Sequence, residues 1–290
     1  MRNLTILAAT VALAGASPAV NAASVNEAWR TAGFDLPESV SYDPAANVFY
    51  VSNLGTDPMS KDGNGFISRL KEDGTVDNLK WATGLDAPKG TEVVGDRLFV
   101  TDIDRLVEID TATGEVVNSY KAEGAAFLND LAVAADGRIY IADTVGNAIY
   151  LFANGGISEW LKDPALNGPN GLTIVGSDLV VASLGDISEG FDKIKPGGVI
   201  KVDLTSKAIS AFGDGSSPGN LDGIEPDGTG GVTVTANPQG LLLDLKPGEP
   251  ATGVATLKSG SADHEFVPAL KLFVVPQMSE NEVVAYTAAD

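Results

Sequence analysis

The chain has 290 residues, with 39 acidic and 19 basic side chains, a formal net charge of −20 and no cysteine. Disulfide scaffolds and Cys-ligated zinc or iron–sulfur centres are therefore excluded. So acidic a surface also argues against nucleic acid, whose phosphates need a basic face, and against anionic membranes.

The N-terminus has the form of a secretory leader. Met1-Arg2-Asn3 is a short positive region, Leu4 to about Ala14 is apolar, and Val20-Asn21-Ala22 fits the small-x-small cleavage rule. Residues 1–22 are thus expected to be a signal peptide, and residues 23–290 a single exported domain, periplasmic or secreted. The apolar stretch is shorter than the ~20 residues of a membrane span, and nothing later resembles one, so no membrane insertion is expected.

The 33 Gly and 15 Pro are spread evenly, with no linker between halves. Short strand-like runs recur instead. They are Val48–Ser52, Arg97–Thr101, Arg138–Ala142, Asp178–Ala182, Gly231–Thr235 and Lys271–Val275, each after a turn and rich in β-branched and aromatic residues. A second short strand precedes each run. Its entry pairs a polar residue with a small one and then an apolar one: Glu38-Ser39-Val40, Lys89-Gly90-Thr91, Asn129-Asp130-Leu131, Asn170-Gly171-Leu172, Asp222-Gly223-Ile224 and His264-Glu265-Phe266. Thr91 breaks the apolar rule, and the third and sixth entries put an acid in the small slot.

The spacings between the polar residues are 51, 40, 41, 52 and 42. A period near 40 is that of propeller blades. Third strands follow at Asn147–Phe152 and Gly198–Val202, and a fourth at Ile157–Trp160. No helical periodicity appears in the mature chain. The expected fold is all-β: a six-bladed β-propeller with four-stranded blades around a central channel. The sixth repeat ends on its third strand, Asn281–Tyr286. Its outer strand is expected from the N-terminus, Ser24 to Arg30, which closes the ring; Asn26–Trp29 suits a short helical turn equally well.

In such a ring the entries converge on one mouth. Glu38, Lys89, Asn129, Asn170, Asp222 and His264 then surround one axis with oxygen donors and net negative charge, which suits a hard divalent cation. Asn and Asp are also common turn formers, but Glu38 and Lys89 are not.

These residues resemble the SMP-30/gluconolactonase/LRE-like family. The resemblance rests on Leu36-Pro37-Glu38-Ser39-Val40, Phe127-Leu128-Asn129-Asp130, Gly168-Pro169-Asn170-Gly171-Leu172 and Leu221-Asp222-Gly223-Ile224. It implies that Glu38, Asn170 and Asp222 bind one divalent metal ion, calcium or alternatively magnesium, manganese or zinc. It implies that Asn129 completes the site and that Asp222 is the general base. The implied activity is metal-dependent hydrolysis of a small-molecule lactone or related ester. With the ion present, the ring chemistry itself offers His264 or Lys89 as proton donor to the leaving alkoxide. Three features depart from the family. Phe127 stands where its lactonases carry an arginine, and Lys89 and His264 add cationic or titratable groups to the ring.

Two insertions stand out, Thr56–Gly65 in the first repeat and Gly185–Pro196 in the fourth. The first lacks the ligand alternation of an EF-hand and is expected to be a plain loop; the second has the length of a lid. No G-x-S-x-G elbow or phosphate loop occurs. Two other readings stand beside hydrolysis: a non-catalytic propeller binding a ligand or a protein, and a different propeller enzyme of the strictosidine-synthase or arylesterase kind.

Overall fold

The computed structural model describes residues 25–288; the expected leader, residues 1–22, lies outside them. Six four-stranded antiparallel sheets make six blades. Their inner strands are Pro37–Asp43, Pro88–Val94, Leu128–Val133, Pro169–Val175, Leu221–Pro226 and Glu265–Val267. These contact one another in a closed ring, so the fold is the expected six-bladed β-propeller. Helix is confined, among the described residues, to three short 3₁₀ turns. None of these residues forms a helix long and apolar enough to cross a membrane.

The six second strands fall on the predicted runs, usually one residue longer at the C-terminal end. Their alternation supplies the core. Each pair of neighbouring blades shares its own apolar cluster, so the core is six wedges rather than one centre. Tyr50 and Trp81 of blade 1, for example, pack with Leu98 and Val100 of blade 2.

Ring closure follows the strand alternative. Val25–Ala32 pairs antiparallel with the last strand, Glu282–Ala288, and completes blade 6 from the outside. A bulge between Glu27 and Trp29 shifts the register. Trp29 then packs on Phe49, and its indole donates to the Glu72 carbonyl in blade 1. The closing strand is thereby tied to two blades.

One local device positions the site. In blade 1, Pro37 pairs with Asn53, but Val40 pairs with Val51, so Glu38 and Ser39 together oppose a single residue. That is a β-bulge, which breaks the ladder and re-aims side chains. Blades 2 to 5 repeat it at Lys89-Gly90, Asn129-Asp130, Asn170-Gly171 and Asp222-Gly223. The polar entries are these bulges.

The sixth entry needs correcting. Ser261 bridges Gln277, while Glu265 pairs with Val274, so the same one-residue slip falls between them. Ser261 is therefore the counterpart of Pro37, and the sixth bulge is Ala262-Asp263, not His264-Glu265. His264 takes the place of Val40 and Ile224, one step down the strand. The sixth blade puts an alanine on the ring.

Candidate active site

At the second bulge position the ring is drawn tight. Blades 2, 4 and 5 carry glycine there. A Cβ on Gly90 would lie 2.6 Å from the Asp130 Cα, on Gly171 2.2 Å from the Asp222 carbonyl oxygen, and on Gly223 2.5 Å from the Asp263 Cα. The other three blades carry polar residues that bond into the next blade. Ser39 Oγ contacts Thr91 Oγ1 at 3.2 Å, Asp130 Oδ2 accepts from Leu172 N at 2.6 Å, and Asp263 Oδ2 accepts from Ser39 Oγ at 2.8 Å. This layer sets the spacing of the ring above it.

On that ring Glu38, Lys89, Asn129, Asn170 and Asp222 are all nearly buried. Glu38 in blade 1 and Asp222 in blade 5 feel each other's charge although blade 6 separates them. The two carboxylates therefore lie close enough on the ring to interact. Burial is the main cause that raises the Glu38 carboxyl well above its usual range; the nearby Asp222 and Asp263 add to it, and Lys89 opposes it. Burial also raises Asp222, to about 6, while the Asn237 and Asn170 amides hold it down. Asn237 Nδ2 donates to Asp222 Oδ2 at 2.6 Å. Glu38 Oε2 is buried and has no hydrogen-bond partner. Asn129 is oriented by Thr144, whose hydroxyl lies 3.3 Å from its Nδ2 and itself donates to the Pro169 carbonyl.

Lys89 belongs to the ring through its backbone, but its ammonium turns to the rim. Nζ donates to the carbonyls of Ala87 at 2.9 Å and Pro58 at 3.1 Å, and lies 4.3 Å from the centre of the Phe127 ring. Burial lowers it to about 8, against the pull of Glu38 and Asp102. It thus partners Glu38 electrostatically while pinning the first insertion through Pro58. His264 lies elsewhere. It is fully buried between blades 5 and 6, with Nε2 2.9 Å from Thr233 Oγ1 and its ring near Phe273. Burial keeps it neutral down to about 3.

The donor set suits a hard divalent cation: two interacting carboxylates, amide oxygens and one buried carboxylate oxygen that nothing else satisfies. Among the described residues no three His, Cys, Asp or Glu side chains are grouped as a metal centre. A cation here depends on amide oxygens from Asn170 and Asn129.

Sequence reasoning missed the supports. Asn237 lies just past the second strand of blade 5. Asn53, Asp102 and Asp143 end the corresponding strands of blades 1 to 3, where their side chains accept from backbone N–H groups of the loops leading into the inner strands. The available signal was a polar residue closing a β-branched run.

No family model and no curated protein matches this chain. Solved structures do. A gluconolactonase from Xanthomonas campestris superposes with a TM-score of 0.70 at 16% identity, over 95% of this chain and 96% of its own. A candidate gluconolactonase gives 0.68 at 17% identity, over 93% of each chain. A catalytically inactive histidine-to-alanine variant of virginiamycin B lyase from Staphylococcus aureus, solved with quinupristin, gives 0.60 at 14% identity, over 91% of this chain and 99% of its own. At these identities the likeness is one of fold.

Proposed function

We propose that this chain is an exported hydrolase of a lactone or related ester, dependent on one divalent cation. Calcium is the first choice, with magnesium, manganese or zinc as alternatives. The observation that carries this is the unsatisfied, buried Glu38 Oε2, on a carboxyl close enough to Asp222 to feel its charge. Two like charges held together in a desolvated ring repel, and a cation relieves that repulsion. Glu38, Asn170 and Asp222 would hold the ion. When bound, it would supply Lewis acidity to polarise a carbonyl and acidify a water. Asp222, held by Asn237 and Asn170, is placed to accept a proton near neutral pH. Asn129, fixed by Thr144, orients the substrate. The gluconolactonase structures support the choice of hydrolysis by analogy of fold. His264 is too deeply buried to serve a reaction at the mouth.

Lys89 favours a second reading, a propeller that binds a ligand without turning it over, because its positive charge near Glu38 offsets a cation's gain. Elemental analysis of the purified protein, with and without chelator, separates the two. About one divalent ion per chain, lost in Asp222→Ala together with chelator-sensitive hydrolysis across a lactone and ester panel, is the expected result. No ion at millimolar calcium, magnesium, manganese or zinc would overturn the hydrolase reading.

A further inference from the structure

The rim of the mouth carries a feature that the ring chemistry leaves unused. Most large apolar side chains of the molecule are buried, but Met59 and Phe191 are 50% and 53% exposed, the two highest among the exposed large hydrophobics. Each sits in one of the two insertions. Phe191 begins the 3₁₀ turn Phe191–Lys193, at the tip of a ribbon that pairs Gly185–Asp186 with Lys195–Pro196. That ribbon is anchored. Gly197 N donates to the Gly219 carbonyl, Lys195 pairs with Asp186, and the Gly185 Cα lies so close to the Lys195 carbonyl that a Cβ would meet its oxygen at 1.8 Å. The aromatic ring is therefore presented by a braced support.

A continuous chain of contacts runs from this ring to the site. Phe191 packs on Phe127 with ring centroids 6.3 Å apart. Phe127 carries the Lys89 ammonium on its face, and Lys89 holds the Pro58 carbonyl, next to Met59. The arc from the first insertion to the fourth thus reads Met59, Pro58, Lys89, Phe127, Phe191. Its one cation is already occupied by two carbonyls and a ring face. Two apolar side chains on this arc stand in water at a hydration cost.

We propose that this arc is a subsite for an apolar, aromatic or alkyl, substituent of the substrate, and that Phe191 is its specificity-determining residue. The inference rests on the hydrolase reading only for the word substrate. It makes this chain selective for hydrophobic lactones or esters over sugar-acid lactones, with the ring end of the substrate at Glu38 and Asp222 and its tail lying on Phe191, which Phe127 backs.

The test compares kcat/KM for a phenyl-substituted δ-lactone, unsubstituted δ-valerolactone and glucono-δ-lactone. The phenyl compound is expected to be preferred over the sugar lactone by at least about tenfold, the worth of one good aromatic contact. Phe191→Ala should cut the phenyl-to-unsubstituted ratio about tenfold, mainly through KM, and Phe191→Leu should restore much of it. A better rate with glucono-δ-lactone, or an equal loss on all three compounds in Phe191→Ala, overturns the proposal. If no lactone is turned over, the hydrolase reading fails and calorimetry with a phenyl-substituted δ-lactam decides the subsite. Binding weakened about tenfold by Phe191→Ala upholds it; no binding to the wild-type protein overturns it.

Discussion

Where the inner strands begin, the channel carries Glu38 and Asp222 among three amides. Where they finish, it carries Glu92, Glu225 and Glu265 over Asp130 and Asp263, lining a cavity of about 240 Å³. Both ends are rich in carboxylates and both hold them away from water, yet they relieve the same stress differently. At the first end the acids are few and sit beside amides and a lysine, and one oxygen is left without a partner. At the far end five acids crowd one another, and burial and their mutual repulsion raise their carboxyls together. Burial and Glu265 raise Glu92 to about 8; burial raises Glu265 to about 7, against a bond from Tyr42 N. Glu225 is also raised, by burial first and then by Glu265, Glu92 and both aspartates. Counting acids therefore points to the end opposite the proposed site. What distinguishes it is mixed donor chemistry on a repeated bulge.

The largest effects should come from breaking that distinction. Asp222→Asn removes the proposed base and a charge from the cation, and should lower kcat/KM by about 10³-fold, or ~4 kcal/mol in the barrier. Glu225→Gln, at the far end, should change kcat/KM by less than about threefold. Comparable losses in the two variants would dissolve the division between the ends. Melting curves on the same proteins check folding.

Next in size is the glycine layer. In Gly223→Ala the new methyl would sit 2.5 Å from the Asp263 Cα and 2.6 Å from the His264 backbone nitrogen, so backbone must move. Overpacking of this kind costs about 1–3 kcal/mol. Because Gly223 adjoins Asp222, activity should fall further than the loss of folded protein explains. A variant with wild-type melting temperature and activity would show that blades 5 and 6 are not packed this closely.

A third expectation concerns pH. In the unfolded chain Glu92 and Glu265 ionise near 4.3; in the folded protein they do so near 8 and 7. Between these values the folded state binds more protons, so stability falls as pH rises. His264 works the other way, since burial depresses it, but only between about 3 and 6.5. The window clear of His264 is therefore pH 6.5 to 8, with Lys89, lowered to about 8, opposing the glutamates only toward its upper end. There the melting temperature should drop by a few degrees. The ceiling is ~1.4 kcal/mol per pH unit for each proton lost, and less because both glutamates remain partly exposed. Glu92→Gln should flatten the slope, and an unchanged slope would place the effect elsewhere.

The repeat was legible in the sequence because each blade reuses one pattern, a polar bulge before a β-branched strand, at a spacing near 40. The sixth blade shows the limit of that pattern. His264-Glu265-Phe266 lies two residues after the true bulge, Ala262-Asp263, and a shift of two keeps every side chain on the same sheet face. Alternation cannot detect such a slip; only the pairing of Ser261 with Gln277 does. The far-end acids escaped notice for a related reason. Glu92, Glu225 and Glu265 are separated by whole blades and converge only when the ring closes. Lys89 was legible as a ring residue, but the direction of its ammonium depends on Pro58 and Phe127, which arrive from other repeats.

The smallest expected signal tests the sixth blade directly. His264 is the only histidine in the chain, so one imidazole Cε1–H resonance reports on it alone. A histidine at the mouth would titrate with an ordinary midpoint near 6.5 and shift as pH falls from 8 to 5. Sealed between Thr233 and Phe273, with its Nδ1 buried and unpaired, it should stay neutral over that range and its resonance should not move. A midpoint between 6 and 7 would put the imidazole back in contact with water, restore it as a candidate acid, and require Ala262 to yield its place on the ring. A flat line leaves Asp222, raised to about 6, as the proposed proton acceptor of the site.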